Sequence, residues 1–196
     1  MKQNNDTLLR LDHVLSSFIV SKTIPSLSRI LEEPVTYYLK KTQMVSISNL
    51  DELSLNFEEM NAMSAVYVKC NGDLQMGILW YMLEEESRPL ASKLLSNLQL
   101  NKTDHLFISS ISEIGNILTA SIVNAISDNM GYEIWSSLPG FAIESMKTLL
   151  EAIISDLEDS SNTLVLSSVE FCGAVSGLRL QMLLIQDPKE VKKLIA

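Results

Sequence analysis

Glu113 and Asn116 stand three residues apart in the stretch Ser112-Glu113-Ile114-Gly115-Asn116-Ile117-Leu118-Thr119-Ala120-Ser121-Ile122-Val123-Asn124-Ala125-Ile126-Ser127. On a helix that spacing places them about one turn apart on the same face. A carboxylate can pair with a basic group. A side-chain amide donates and accepts hydrogen bonds at once, so it can hold a water without carrying charge. Two such residues do not by themselves define an activity. Ala120 and Asn124 continue their face, while Ile114, Ile117, Leu118, Ile122, Val123 and Ile126 supply an apolar one. Gly115 sits between the two polar residues although glycine inside a helix costs about 1 kcal/mol against alanine. Its presence predicts close approach by another backbone, in the core or on a partner.

Other reactive side chains are sparse. Cys70 and Cys172 lie in apolar, strand-like segments far apart in the chain and read as reduced core thiols. Two cysteines without nearby ligands do not make a zinc site. His13 and His105 are distant from each other and from any acid-rich motif, and read as ordinary side chains. No Cys/His or Ser/His/Asp arrangement suggests a covalent intermediate on this chain.

Composition narrows the partners. The 196 residues carry 15 Lys and Arg against 24 Asp and Glu, a net charge of -9. Nucleic-acid binding needs basic residues to displace counterions, and an anionic membrane surface repels an acidic chain, so both are disfavoured. Basic surfaces on protein partners suit it better. With 46% hydrophobic and only 6% aromatic residues the chain is globular, its core built mainly from Leu, Ile, Val and Met. The amino terminus is polar, no secretion signal follows, and the longest apolar runs fall short of the roughly 18 residues that span a bilayer. The sequon Asn101-Lys102-Thr103 is therefore read as accidental, and a reducing, cytoplasmic setting is expected.

The elements that must position the pair follow from periodicity. Residues 6–32 have apolar positions at helical spacing, with Pro25 expected to kink or split the helix and Pro34 to end it. Residues 35–48 read as a strand and 50–59 as irregular. Ala65–Cys70 and Leu74–Met82 predict a hairpin with Asn71-Gly72 as its tight turn. Glu84, Glu85 and Glu86 open a helix reaching about Leu98. Residues 103–130 form a second long helix closed by Gly131, followed by a short strand, Tyr132–Trp135. Phe141–Leu157 reads as an amphipathic helix and Glu158–Asn162 as a loop. Strands Thr163–Cys172 and Gly177–Ile185 come next, and Asp187-Pro188 starts a last helix.

This order repeats. Residues 6–100 and 103–196 each read long helix, strand, intervening segment, hairpin, short helix, and the long helices overlay at an offset that puts Leu27-Ser28 over Ile126-Ser127. The expected fold is α+β. Two pseudo-symmetric halves share one largely antiparallel sheet packed by the long helices, and residues 1–196 form a single domain.

Residues 113–127 resemble the helix motif of the CheC family of chemotaxis proteins, the group that includes CheX and the flagellar-switch phosphatase FliY. That motif is Glu-Ile-Gly-Asn followed by an apolar stretch ending in small residues and Ser. Leu183-Leu184-Ile185-Gln186-Asp187-Pro188 and the Lys/Leu-rich helix after it are similar to the family's ending. The resemblance covers essentially the whole chain and is stronger in the second half. It implies a protein aspartyl-phosphate phosphatase acting on the phosphorylated response regulator CheY. Asn116 would orient the attacking water. Glu113 would pair with a basic group of the regulator, its active-site lysine first. Mg²⁺ would be carried by the partner, with no cofactor or metal on this chain.

Many members carry the pair in both halves. At the 99-residue offset the first-half counterparts of Glu113 and Asn116 are Val14 and Ser17, which can do neither job, so one centre per chain is expected. The resemblance also implies binding of the receptor deamidase CheD through the helix Phe141–Leu157, with Glu144 on its opening turn as a partner-binding residue. Two other readings compete with the phosphatase. One is a non-catalytic chemotaxis adaptor that binds CheD or a regulator. The other is a flagellar-switch component, disfavoured because the sequence leaves no room for a further C-terminal switch domain or an N-terminal regulator-binding peptide and linker.

Overall fold

Apolar residues recur every second position in the strands and every third or fourth in the helices, and this pattern sorts the molecule into layers. In β2 (Met63–Gly72), Val66, Val68 and Cys70 face one way and Met63 and Ala65 the other. The computed structural model describes residues 2–48, 62–95, 105–156 and 162–195. The expected irregular segment 50–59 and the sequon lie outside these residues, as does almost all of the expected loop Glu158–Asn162.

The strands β1 (Val35–Ser46), β2, β3 (Met76–Leu83), β4 (Ile134–Ser136), β5 (Gly140–Glu144), β6 (Thr163–Gly173) and β7 (Arg179–Gln186) form one antiparallel sheet. The order is β1-β6-β7-β3-β2-β4, with β5 also paired to β2. With β4 and β5, which both pair with β2, taken as one interrupted strand, the first strand of each half pairs with the second of the other, and the third strands, β3 and β7, meet at the centre. This is the shared, pseudo-symmetric sheet that the repeat predicts.

One face carries α1 (Lys2–Phe18), α2 (Ile24–Leu31), α3 (Glu84–Leu94), α4 (His105–Met130) and α6 (Pro188–Leu194) over Val66, Val68, Ile78, Trp80, Val165, Val169 and Met182. On the other face α5 (Met146–Asp156) covers Leu79, Tyr81, Leu164, Leu166, Leu183 and Ile185. By length and composition α4 could cross a membrane. In the fold Ile111, Ile114, Leu118 and Ile122 are buried among the core residues, each contributing about 1.5–3 kcal/mol.

Several expectations are corrected. The first helix is split next to Pro25, as expected, but the break lies before the proline. Its ladder widens into a π turn over Ile19–Thr23, with the Ile24 amide donating to Ile19 O, and α2 starts with Pro25 in its first turn. Proline has no N–H and its ring crowds the carbonyl four residues back, so the strain is taken up in the turn before it. Asn71-Gly72 is not a two-residue turn. Cys70 is opposite Met76, leaving a longer connection, and Asn71 and Gly72 pair with Trp135 and Ile134 of β4. Glycine is required at position 72 because φ is +126° and a Cβ there would lie 2.2 Å from Glu133 O. The segment Phe141–Leu157 is a helix only from Met146. Phe141, Ala142 and Ile143 pair with β2 instead, since pairing satisfies the edge of that strand. Ser145 Oγ then caps α5 by accepting the Thr148 amide at 3.2 Å.

The connection from α2 to β1 is tied to the other half through Glu33. Its carboxylate, 9% exposed, accepts the Val175 and Ser176 amides at 3.2 and 2.9 Å and the Ser176 hydroxyl. The Ser176 hydroxyl above all, then the Ser176 amide, the Lys93 ammonium and the Val175 amide, hold its carboxyl below the ordinary 4.5 against the opposing effect of burial. A carboxylate with a lowered folded-state pKa stabilises the fold fully above the unfolded value, and this is lost as pH falls through the lowered one. Urea midpoints should therefore fall as pH drops from 6 towards 3. Glu33→Gln should be less stable at pH 7 and show a shallower acid limb. An unchanged acid limb in that variant would remove Glu33 from the explanation.

Candidate functional site

A long helix rich in β-branched residues has modest intrinsic propensity, so α4 depends on its apolar face being buried. It ends where Gly131, at φ +71°, donates its amide to Ser127 O at 2.9 Å, as expected for a glycine C-cap. The outer face shows Ser109, Glu113, Ile117, Ala120 and Asn124 to solvent, with Asn116 half-buried at its rim. Glu113 and Asn116 are thus brought to one accessible face. Among the described residues, neither side chain takes a hydrogen bond or an ion pair. Their polar atoms are available to a partner.

Ile117 departs from the expected apolar face. It is 37% exposed because it lies four residues beyond Glu113, on the same side of the helix. A carboxylate, an amide and an apolar side chain therefore share a narrow surface, bordered by the small Ala120.

The reason for Gly115 is visible beneath this surface. A Cβ there would lie 2.5 Å from Val66 Cγ1 and 2.8 Å from Val66 Cβ. The close approach is to the protein's own sheet, and the absence of a side chain lets α4 settle onto β2. One turn further, buried Thr119 accepts a hydrogen bond at 2.9 Å from Trp80 Nε1 on β3. Ser121 donates to Thr23 Oγ1 at 3.0 Å, joining α4 to the end of the π turn in the other half. Val66, Trp80 and Thr119 were not legible as site-supporting residues. The only signal was a threonine four residues after the glycine on an otherwise apolar face.

The π turn also revises the comparison of the halves. Before it, buried Leu11, Leu15, Phe18 and Ile19 correspond to buried Ile111, Gly115, Leu118 and Thr119; after it, Thr23 and Leu27 correspond to Ile122 and Ile126. One inserted residue makes the offset 100 before the turn and 99 after it. The counterparts of Glu113 and Asn116 are therefore His13 and Ser16, not Val14 and Ser17. Their burial agrees, exposed at 13 and 113 and half-buried at 16 and 116. Leu15 stands where the second half has Gly115. Glu144, expected on a helix, is the exposed last residue of β5, opposite Met63. Among the described residues no group of three or more His, Cys, Asp and Glu could hold a metal ion.

No family model matches the sequence. The chain is similar in structure to FliY from Thermotoga maritima, with a TM-score of 0.71 at 15% identity over 94% of this chain and 93% of that one. It has the fold of the CheC-like chemotaxis proteins. CheX from Borrelia burgdorferi, solved in a complex with CheY, BeF3 and Mg, matches with a TM-score of 0.52 at 16% identity over 91% and 96% of the two chains. FliM from H. pylori, solved in complex with SpeE, matches with a TM-score of 0.66 at 10% identity over 96% and 94%. Each of these matches covers more than nine-tenths of this chain, whose α4 is a core helix with one free face.

Proposed function

We propose that this protein dephosphorylates a phosphorylated CheY-type response regulator through one centre, Glu113 and Asn116 on α4. The observation that carries this reading is a Glu-x-x-Asn pair, with no hydrogen bond or ion pair among the described residues, on the exposed face of a core helix in a CheC-like fold. The CheX structure in complex with CheY lends it support.

The chemistry is a problem of placement. An aspartyl phosphate hydrolyses when a water is held in line with the scissile P–O bond while the charge on the phosphoryl oxygens is balanced. Asn116 enters the regulator's site and holds that water, its amide accepting one hydrogen bond and donating another. Glu113 pairs with a basic group of the regulator, its active-site lysine in the first instance, and sets the docking register. Mg²⁺ belongs to the regulator and balances the phosphoryl charge there. No bond to this chain forms during the reaction. The setting is the cytoplasm, where the regulator is found.

The deciding experiment is phosphate release from a phosphorylated CheY with and without this protein. Acceleration supports the reading, and its absence, also with CheD present, overturns it. Glu113→Gln keeps size and removes charge, so KM for the phosphorylated regulator should rise about tenfold with kcat within about twofold, a loss of roughly 1.4 kcal/mol in binding. A fall in kcat alone would assign Glu113 to the chemical step instead.

The likeness to FliM, larger by TM-score than that to CheX, favours a second reading. In it the chain is a non-catalytic adaptor of the chemotaxis or flagellar apparatus that binds a regulator or CheD. Glu144 would contact CheD from the end of β5. This reading expects regulator binding that Asn116→Ala leaves unchanged and no phosphate release in any pairing.

A further inference from the structure

We propose that Trp80 is a positioning residue for Asn116, an inference that rests on the phosphatase reading above. Val66 and Trp80 are directly opposite each other on β2 and β3. Gly115 and Thr119, one turn apart on α4, lie over this single cross-strand pair: Gly115 against Val66 and Thr119 hydrogen-bonded to Trp80. One pair of sheet residues thus sets two coordinates of the helix. Val66 sets how close α4 comes to the sheet. Trp80 sets how α4 is turned about its own axis.

The second coordinate needs a directional contact. The rest of the sheet under α4 is apolar, with Val68, Ile78 and Met182 in one cluster with Ile111, Ile114, Leu118 and Ile122, and the other buried side-chain hydrogen bond from α4 to another element, Ser121 to Thr23, ties it to the π turn and not to the sheet. Apolar burial is non-directional, so it resists a small helix rotation only weakly. Among the described residues, the Trp80–Thr119 bond is the only side-chain hydrogen bond between α4 and the sheet. Both partners are buried, Trp80 at 2% and Thr119 at 0% exposure. In such surroundings a broken bond leaves a donor or acceptor unpaired, so rotation of α4 is penalised. The indole is itself braced by Phe171 of β6, ring centroids 5.8 Å apart.

Thr119 follows Asn116 by three residues, so the two side chains are about 60° apart around the helix. Fixing Thr119 inward holds Asn116 at the rim of the exposed face, where it is half-buried. A rotation of about 20° would carry a side-chain tip some 6 Å from the axis through roughly 2 Å. Displacements of about 1 Å can cost up to a hundredfold in rate when the task is to place a reacting group.

The test separates alignment from stability. Trp80→Phe keeps an aromatic ring and removes the N–H. Thr119→Val keeps the shape and removes the hydroxyl. The double variant leaves neither group unpaired, and Thr119→Ser keeps the bond. Both single variants and the double should lose about tenfold in kcat, with KM for the phosphorylated regulator within about twofold. The melting temperature should fall in the singles and recover in the double, while Thr119→Ser should retain wild-type kcat. If kcat recovers together with melting temperature in the double variant, or if only KM changes, the role is structural and the proposal is overturned. Activity that depends on Asn116 but ignores Trp80 overturns this inference alone. A wild-type chain without phosphatase activity overturns it together with the functional reading.

Discussion

Asn116→Ala should lower kcat for regulator dephosphorylation at least about a hundredfold and leave KM within about twofold. The amide is half-buried and takes no hydrogen bond among the described residues, so its removal leaves no polar group there unpaired. The fold should be as stable as the wild type. On the proposed reading what is lost is the group that holds the water in line, and such positioning accounts for a large part of the rate when an enzyme supplies no covalent chemistry. Asn116→Asp should fail as well. It has the same shape, but its charge opposes entry into a site crowded with phosphoryl oxygens. The measurements are steady-state phosphate release and binding of the regulator to both variants. Retained turnover in Asn116→Ala would assign the water to another residue. Binding lost in step with turnover would make Asn116 a docking group.

The second large effect is expected at Gly115. An alanine there puts its Cβ 2.5 Å from Val66 Cγ1, a rigid β-branched side chain that is 2% exposed. Alanine gains up to about 1 kcal/mol in helix propensity, but overpacking a core contact costs about 1–3 kcal/mol. With both the strand and the helix held by neighbours, the overpacking should prevail. We expect a net loss of about 1–2 kcal/mol in urea unfolding and at least a tenfold fall in kcat as α4 lifts off β2. Val66→Ala alone opens a cavity and also destabilises. Combined with Gly115→Ala, however, it makes room for the new methyl. The double variant should therefore be more stable than the sum of the two changes, with a coupling of about 1 kcal/mol or more. Strict additivity would show that the contact does not limit the approach of the helix.

The comparison of the halves explains why one centre is expected per chain. At the position of Gly115 the first half has Leu15, and at those of Glu113 and Asn116 it has His13 and Ser16. Serine is shorter than asparagine and does not reach a water held by the longer side chain, and leucine cannot allow the approach that Gly115 permits. Three changes separate the first helix from a working site, so His13→Glu and Ser16→Asn together should not double the activity per chain.

Much of this was legible in local chemistry. The pair Glu113 and Asn116, their shared face and the tight packing at Gly115 follow from helical spacing and the cost of glycine in a helix. The order of elements and the pseudo-symmetric sheet follow from hydrophobic periodicity, which records burial residue by residue. Other features depend on partners distant in sequence. Phe141–Ile143 have an apolar pattern that suits a helix, and only the open edge of β2 makes them a strand. Asn71-Gly72 has the chemistry of a tight turn, and only pairing with β4 draws both residues into the sheet. Pro25 announces a disturbance but not that it becomes a π turn, which shifts the register of the first helix by one residue. The sequence by itself determined which side chains could do chemistry and on which face of α4 they lie, because helix geometry is set by neighbours a few residues apart. Only the tertiary structure decided how deep that helix sits and how it is turned, because Val66 and Trp80 reach it from strands about 40–50 residues away in the chain.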